Sequence, residues 1–215
     1  MEESTAREKV MKRVRNALIQ KGSNPFPDLD LDSPIFQELN EPLDITFAEE
    51  FTRLGGKFVY CENEEELYST LSLLTKANAL APIICRDESL LLMLSQSGIS
   101  ATNDEQKLHS ARAAITGCEY LVARLGSIMV SSRQISGRKL NIIPDVHIVL
   151  ASSSQLVPDI KHALAGIREK YGKAFPSMIS LISGPSRTAD IEKTLVMGAH
   201  GPKELYVFLL DDINS

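Results

Sequence analysis

The sequence predicts an α/β protein, a three-layer open and mostly parallel sheet with an N-terminal helical arm, and three observations carry that prediction. From Gly56 onward, short β-rich runs alternate with helical stretches, the pattern of βαβ units whose helices cover both faces of a parallel sheet. Ahead of them lies NPFPDLDLDSP, Asn24 to Pro34, where three prolines and several acids forbid regular structure and mark a connector. A chain of 215 residues, 43% hydrophobic and 24% charged, with a mean hydropathy of −0.06, can bury a substantial core.

The elements follow in order. Thr5 to Gln20 places Val10, Val14, Ala17 and Leu18 at spacings of three and four, with Ser4 or Thr5 as cap and Gly22 past the end, which predicts an amphipathic helix. A second helical piece, Pro42 to Leu54, stops at Gly55-Gly56. Both pieces need a surface to cover, on the body or on another subunit. The division expected is residues 1–50 as arm and linker and 51–215 as the α/β domain. Within the latter, KFVYC (Lys57 to Cys61) reads as a strand, Asn63 as the cap of the helix EEELYSTLSLLTKA, and APIICR as the next strand. A helix near Asp87 and a short strand after Gly98 repeat the period. Ser127 to Ser132 and Val146 to Ala151 flank a turn containing Gly137, which suggests a hairpin. A helix from about Gln155 to Lys170, a strand at Met178 to Ser183, a helix from Thr188 and a strand from Leu205 to Asp211 complete the pattern.

Several function classes lose ground on composition. No stretch approaches the roughly 18 to 20 apolar residues that a membrane span needs, and the start, MEESTAREKVMKRVRNAL, lacks the apolar core of a secretory signal; a cytoplasmic protein is expected. Residues 1–21 carry six bases and three acids, but residues 22–70 carry two bases and twelve acids, which argues against a general nucleic-acid binder. Cys61, Cys85 and Cys118 stand far apart, so no CxxC pair marks a metal, cluster or dithiol site. The glycines form neither the dinucleotide fingerprint nor a P-loop, and the histidines no HExxH pair.

The informative stretch is Ser183 to Leu205, SGPSRTADIEKTLVMGAHGPKEL. Read as a strand leading into a helix, it offers an anion free N–H groups, the small or hydroxylated residues Ser183, Gly184, Ser186 and Thr188, and the planar fork of Arg187. The plainer reading has Thr188 capping the helix and Arg187 pairing with Asp190. His200 stands between glycines before the last strand, with Gly201 and Lys203 beside it, poised to move a proton or simply to stabilise a turn. Asp190 and Glu192 are candidate bases; two apart on a helix they do not share a face. A basic patch, Arg124 to Lys139, adds Gly126, Ser127 and Arg138 as possible anion contacts, or as ordinary surface.

The run Ile182 to Asp211 closely resembles the C-terminal signature of the LUD-domain family, in its lactate utilization protein C (LutC/YkgG) group, and Val122 to Val157 is similar to that family's other block. One departure is visible: the family pattern Ala-Glu-Thr-Gly reads Ala123-Arg124-Leu125-Gly126 here. The resemblance implies a fold like the NagB/RpiA/CoA-transferase group and a part in oxidising L-lactate to pyruvate beside iron-sulfur partner proteins. Any iron-sulfur clusters would then sit on those partners and no cofactor on this chain, whose ligand would be a small anion; a homo-oligomer is compatible with this. Two other readings stand beside it. One is a stand-alone sugar-phosphate isomerase-like or acyl-CoA-transferase-like enzyme using Asp190, Glu192 or His200. The other is an assembly module whose arm docks a partner.

Overall fold

A computed structural model describes residues 5–19, 28, 38–191, 194–197 and 201–213, with only the backbone of 188–191 and 194–197. The chain forms two compact units, residues 1–38 and 39–215. In the first, α1 (Ala6–Ile19) begins with a reciprocal cap: Glu8 N–H donates to the Thr5 hydroxyl, and Thr5 N–H donates to the Glu8 carboxylate at 2.9 Å.

The second unit opens with α2 (Leu43–Arg53) and β1 (Lys57–Cys61), and continues through α3 (Glu64–Ala77), β2 (Ile83–Ile84), α4 (Glu88–Gln96), β3 (Ala101–Thr102), β4 (Ala113–Thr116), β5 (Tyr120–Val122), β6 (Ser127–Ser131) and β7 (Val146–Ser152). After β8 (Leu156–Val157) and α5 (Ile160–Tyr171) come β9 (Ile179–Ile182), β10 (Arg187–Ile191), β11 (Thr194–Met197) and β12 (Glu204–Leu210). The helix starts are written in the sequence. Asn63 accepts from Glu66 N–H, Asp87 from Ser89 and Leu90, and Asp159 from Lys161 and His162.

A six-stranded parallel sheet, in the order β1-β12-β7-β4-β2-β3, forms the centre. Its inner strands read as unbroken apolar runs because both faces are covered. Along β12, Tyr206 and Phe208 face a core shared with Leu67 and Leu71 of α3 and Leu94 of α4. The alternate residues Leu205, Val207 and Leu209 face Phe47 and Phe51 of α2 together with Leu121, Ile128 and Val130. Those last three belong to a second sheet, ordered β8-β5-β6-β9, whose far side packs through Val122 and Met129 on Ala163 and Ile167 of α5. The α/β class with a mostly parallel sheet is as expected; the second sheet is an addition to it.

Three local expectations are corrected. The strands at 127–131 and 146–152 do not form a hairpin: β6 pairs antiparallel with β5 and β9, while β7 lies inside the parallel sheet. The intervening segment crosses between sheets, and the Gly137 turn serves that crossing. The helix expected from Thr188 is a β-hairpin, β10 with β11, registered Thr188 to Val196 and Ile191 to Thr194. Its β-branched residues suit extended backbone better than the polar spacing suited a helix. The helix expected from Gln155 starts only at Ile160, because Pro158 and the Asp159 cap set its beginning.

Candidate functional site

The two loops singled out in the sequence do meet. Ser186 N–H donates to the Pro202 carbonyl at 2.8 Å, and Gly201 lies against the Ser186 side chain. The hydroxyls of Ser127 and Ser183 lie 2.7 Å apart, with Ser127 also donating to the Leu125 carbonyl. Lys203 Nζ pairs with Asp145 at 3.0 Å, both half-exposed, while its N–H donates to the Asp145 carbonyl.

Their setting differs from the one the sequence suggested. Lys203 precedes β12, Asp145 precedes β7, and Leu54 precedes β1, so the cluster sits at the amino ends of the parallel strands. Ser183 leaves β9 of the second sheet and leads into a strand; no helix N-terminus stands there. Much of the motif also holds α2. A Cβ at Gly126 would overlap the backbone of Glu50 and Phe51, one at Gly184 would overlap the Leu54 carbonyl, and the Arg187 guanidinium donates to that same carbonyl at the C-terminus of α2.

Other candidates fall elsewhere. Arg138 reaches the Met178 sulfur at 3.6 Å, before β9, whereas Ser183 follows it; at about 3.3 Å per residue the two are separated by the whole strand. Thr188 and Asp190 lie on β10, described by backbone alone. His200 and Glu192 lie outside the described residues.

Two polar features escaped the sequence reading. Glu119, between β4 and β5, is buried and accepts from Ser131 at 2.6 Å, Tyr171 at 2.8 Å and Lys170 at 2.9 Å. Burial alone would raise its pKa, but those hydrogen bonds outweigh burial and hold the carboxyl below the usual glutamate range. A lone acid inside AAITGCEYLVA was the available signal. His147 on β7 is fully buried, its Nε2 2.8 Å from the Thr116 hydroxyl and its Nδ1 without a hydrogen-bond partner among the described residues. Burial lowers its pKa to about 4. Its setting in VHIVLA was visible as a histidine on an apolar strand.

At the opposite, carboxyl edge of the sheet lies a cleft of about 340 Å³, lined by Leu43 and Asp44 of α2, Tyr60 of β1, Ser153, Ser154, Leu156, Asp211 and Ile213. Tyr60 donates to Asp211 at 2.7 Å, and that carboxylate, with some burial, raises the phenol to about 12. Carboxyl edges of open α/β sheets are the usual place for ligands. The three cysteines are all buried, and desolvation raises the Cys61 and Cys85 thiols to about 11 and Cys118 to about 12.

The fold and these loops define an α/β protein with a mostly parallel central sheet and a second sheet on one face. A structure titled as a DUF162 family protein from Deinococcus radiodurans shares that fold at a TM-score of 0.59 and 21% identity, covering 78% of this chain and 96% of that one. The LUD domain family matches residues 46–210. A lactate utilization protein C of Anoxybacillus flavithermus is 31% identical over 80% of this chain and 82% of its own length. One from Bacillus subtilis is 35% identical over 50% of this chain and 45% of its own length. The chain belongs to the LUD domain family.

Proposed function

We propose that this chain acts in lactate utilization, as a cytoplasmic subunit supporting the oxidation of L-lactate to pyruvate together with iron-sulfur partner proteins. The observation that carries this reading is the 31% identity with a lactate utilization protein C over most of both chains. Oxidising lactate to pyruvate releases two electrons and two protons, and the electrons need an acceptor. Cys61, Cys85 and Cys118 stand far apart in the sequence with no CxxC spacing of the kind cluster sites use, and in this reading the clusters belong to the partners.

The substrate-handling part of the reading places a small carboxylate at the amino-edge cluster. Ser127, Ser183 and Ser186 supply hydroxyls, and Lys203 and the exposed Arg187 supply charge. The Lys203–Asp145 pair is solvent-exposed, and such pairs are worth about 1 kcal/mol or less, so a carboxylate can draw Lys203 away at little cost. His200, Asp190 and Glu192 are this reading's proton carriers.

The test is a thermal-shift titration of the full chain with L-lactate and pyruvate, repeated with Arg187→Ala and Lys203→Ala, beside growth on lactate of cells carrying each variant. A ligand-dependent rise in Tm, lost in both variants together with growth, is expected, since a ligand that binds only the native state stabilises it. Turnover of a sugar phosphate or an acyl-CoA by the purified chain alone overturns the reading.

A further inference from the structure

The carboxyl-edge cleft takes no part in the carboxylate site proposed above, and the topology of the sheet marks it independently. From β1 the chain leaves to α3, on the face of Tyr206 and Phe208; from β7 it leaves to β8, on the face of Leu205, Val207 and Leu209. The last strand, β12, lies between them. Connections that part to opposite faces open a crevice beyond the carboxyl ends of the strands, where open α/β sheets place their ligands. Three strand ends meet in this one: Tyr60 stands near the end of β1, Asp211 just after β12, and Ser153 and Ser154 just after β7.

The chemistry of the cleft is that of acceptors. Tyr60 O–H donates to Asp211 at 2.7 Å, and Ser154 O–H donates to Asp212 at 2.6 Å; both hydroxyl oxygens keep lone pairs that can accept. Asp211 is 7% exposed and already takes the Tyr60 O–H and the Ile213 N–H, so it forms the floor rather than a contact. Asp44 is half-buried and has no ion-pair partner among the described residues. Its full charge exceeds the roughly half charge at the amino end of α2, whose first turn contains it. No Lys, Arg or His is among the described lining residues, while Leu43, Leu156 and Ile213 supply apolar walls and Tyr60, 40% exposed, an aromatic face. A volume of about 340 Å³ suits an organic body, and no group of three or more His, Cys, Asp or Glu among the described residues could hold a metal ion.

We infer that this cleft binds a small organic amine, a primary ammonium carried on an apolar body. The ammonium brings the N–H donors that the cleft lacks, for the Asp44 carboxylate and the Tyr60 and Ser154 oxygens. The apolar body lies along Leu43, Leu156 and Ile213, and the ring of Tyr60 attracts the positive charge. A carboxylate such as lactate is repelled by the same acids, so this site and the lactate reading are independent and either can fail alone.

The experiment is a calorimetric titration of the full chain at low salt with benzylammonium, benzyltrimethylammonium and benzyl alcohol, backed by thermal shift. One benzylammonium per chain is expected to bind. The alcohol, which lacks the charge, and the trimethyl cation, which lacks the N–H donors, are each expected to bind at least tenfold more weakly. Asp44→Asn should weaken benzylammonium at least tenfold, and Ser153→Lys, which sets a base in the cleft, should abolish its binding, with the ligand-free Tm of each variant unchanged. Glu105→Gln, beyond β3 at the far edge of the sheet, should leave the affinity as it is. No binding of benzylammonium by either method overturns the proposal. So does an alcohol or a trimethyl cation that binds as tightly, or full binding in Asp44→Asn or Ser153→Lys.

Discussion

Two residues show how burial and hydrogen bonding move charge in opposite directions. Glu119 stays a carboxylate because Ser131, Tyr171 and Lys170 hold it, and Glu119→Gln should cost about 2 kcal/mol in urea unfolding, the scale of hydrogen bonds to a charged group. Its folded pKa is lowered, so its contribution is present above the unfolded glutamate pKa and is lost as pH falls through the lower folded value. His147 acts in the same direction at higher pH. Folded, it stays neutral down to about pH 4, whereas the unfolded chain takes up its proton near 6.5, so unfolding is favoured as pH falls between those values. The loss amounts to about 3 kcal/mol. Urea midpoints of wild type and His147→Gln at pH 7 and 4.5 check this: the wild type should lose more stability than the variant.

At the scale of elements, the glycines of the recognisable motifs seat a helix. Gly126 has φ +52 and lies against the backbone of α2, while Gly98 has φ +70 with nothing within 4 Å of a Cβ built there. Ala at Gly98 meets only the backbone penalty, about 1 kcal/mol. Ala at Gly126 adds displacement of α2, with its buried Phe47 and Phe51, and should cost about 3 kcal/mol or more. Equal costs in chemical denaturation would mean that α2 yields easily. Gly184 and Arg187 belong to the same packing, since both meet the Leu54 carbonyl at the end of α2.

For the molecule as a whole, the thiols report cooperativity. Cys61 and Cys85 lie in the core between the parallel sheet and α3/α4, and Cys118 lies in the core on the other face. All three should resist Ellman's reagent in the native state and react together at the rate of global unfolding, so fast labelling of Cys118 alone would reveal separate opening of the second sheet. The alternation of helices and strands, the cap Asn63 and a helix start near Asp87 were legible by sequence, because period and capping chemistry act over a few residues; the connector expected at 24–34 lies, but for residue 28, outside the described residues. The apolar runs VHIVLA and ELYVFLL announced buried strands for the same reason. What only the tertiary structure decided is partnership. A strand's sequence states that it is buried, not which sheet receives it, so β6 and β7 looked like neighbours and lie in different sheets. Likewise Glu119 acquires its three donors, and the two motif loops their place at the amino edge, only through contacts between residues far apart in the chain.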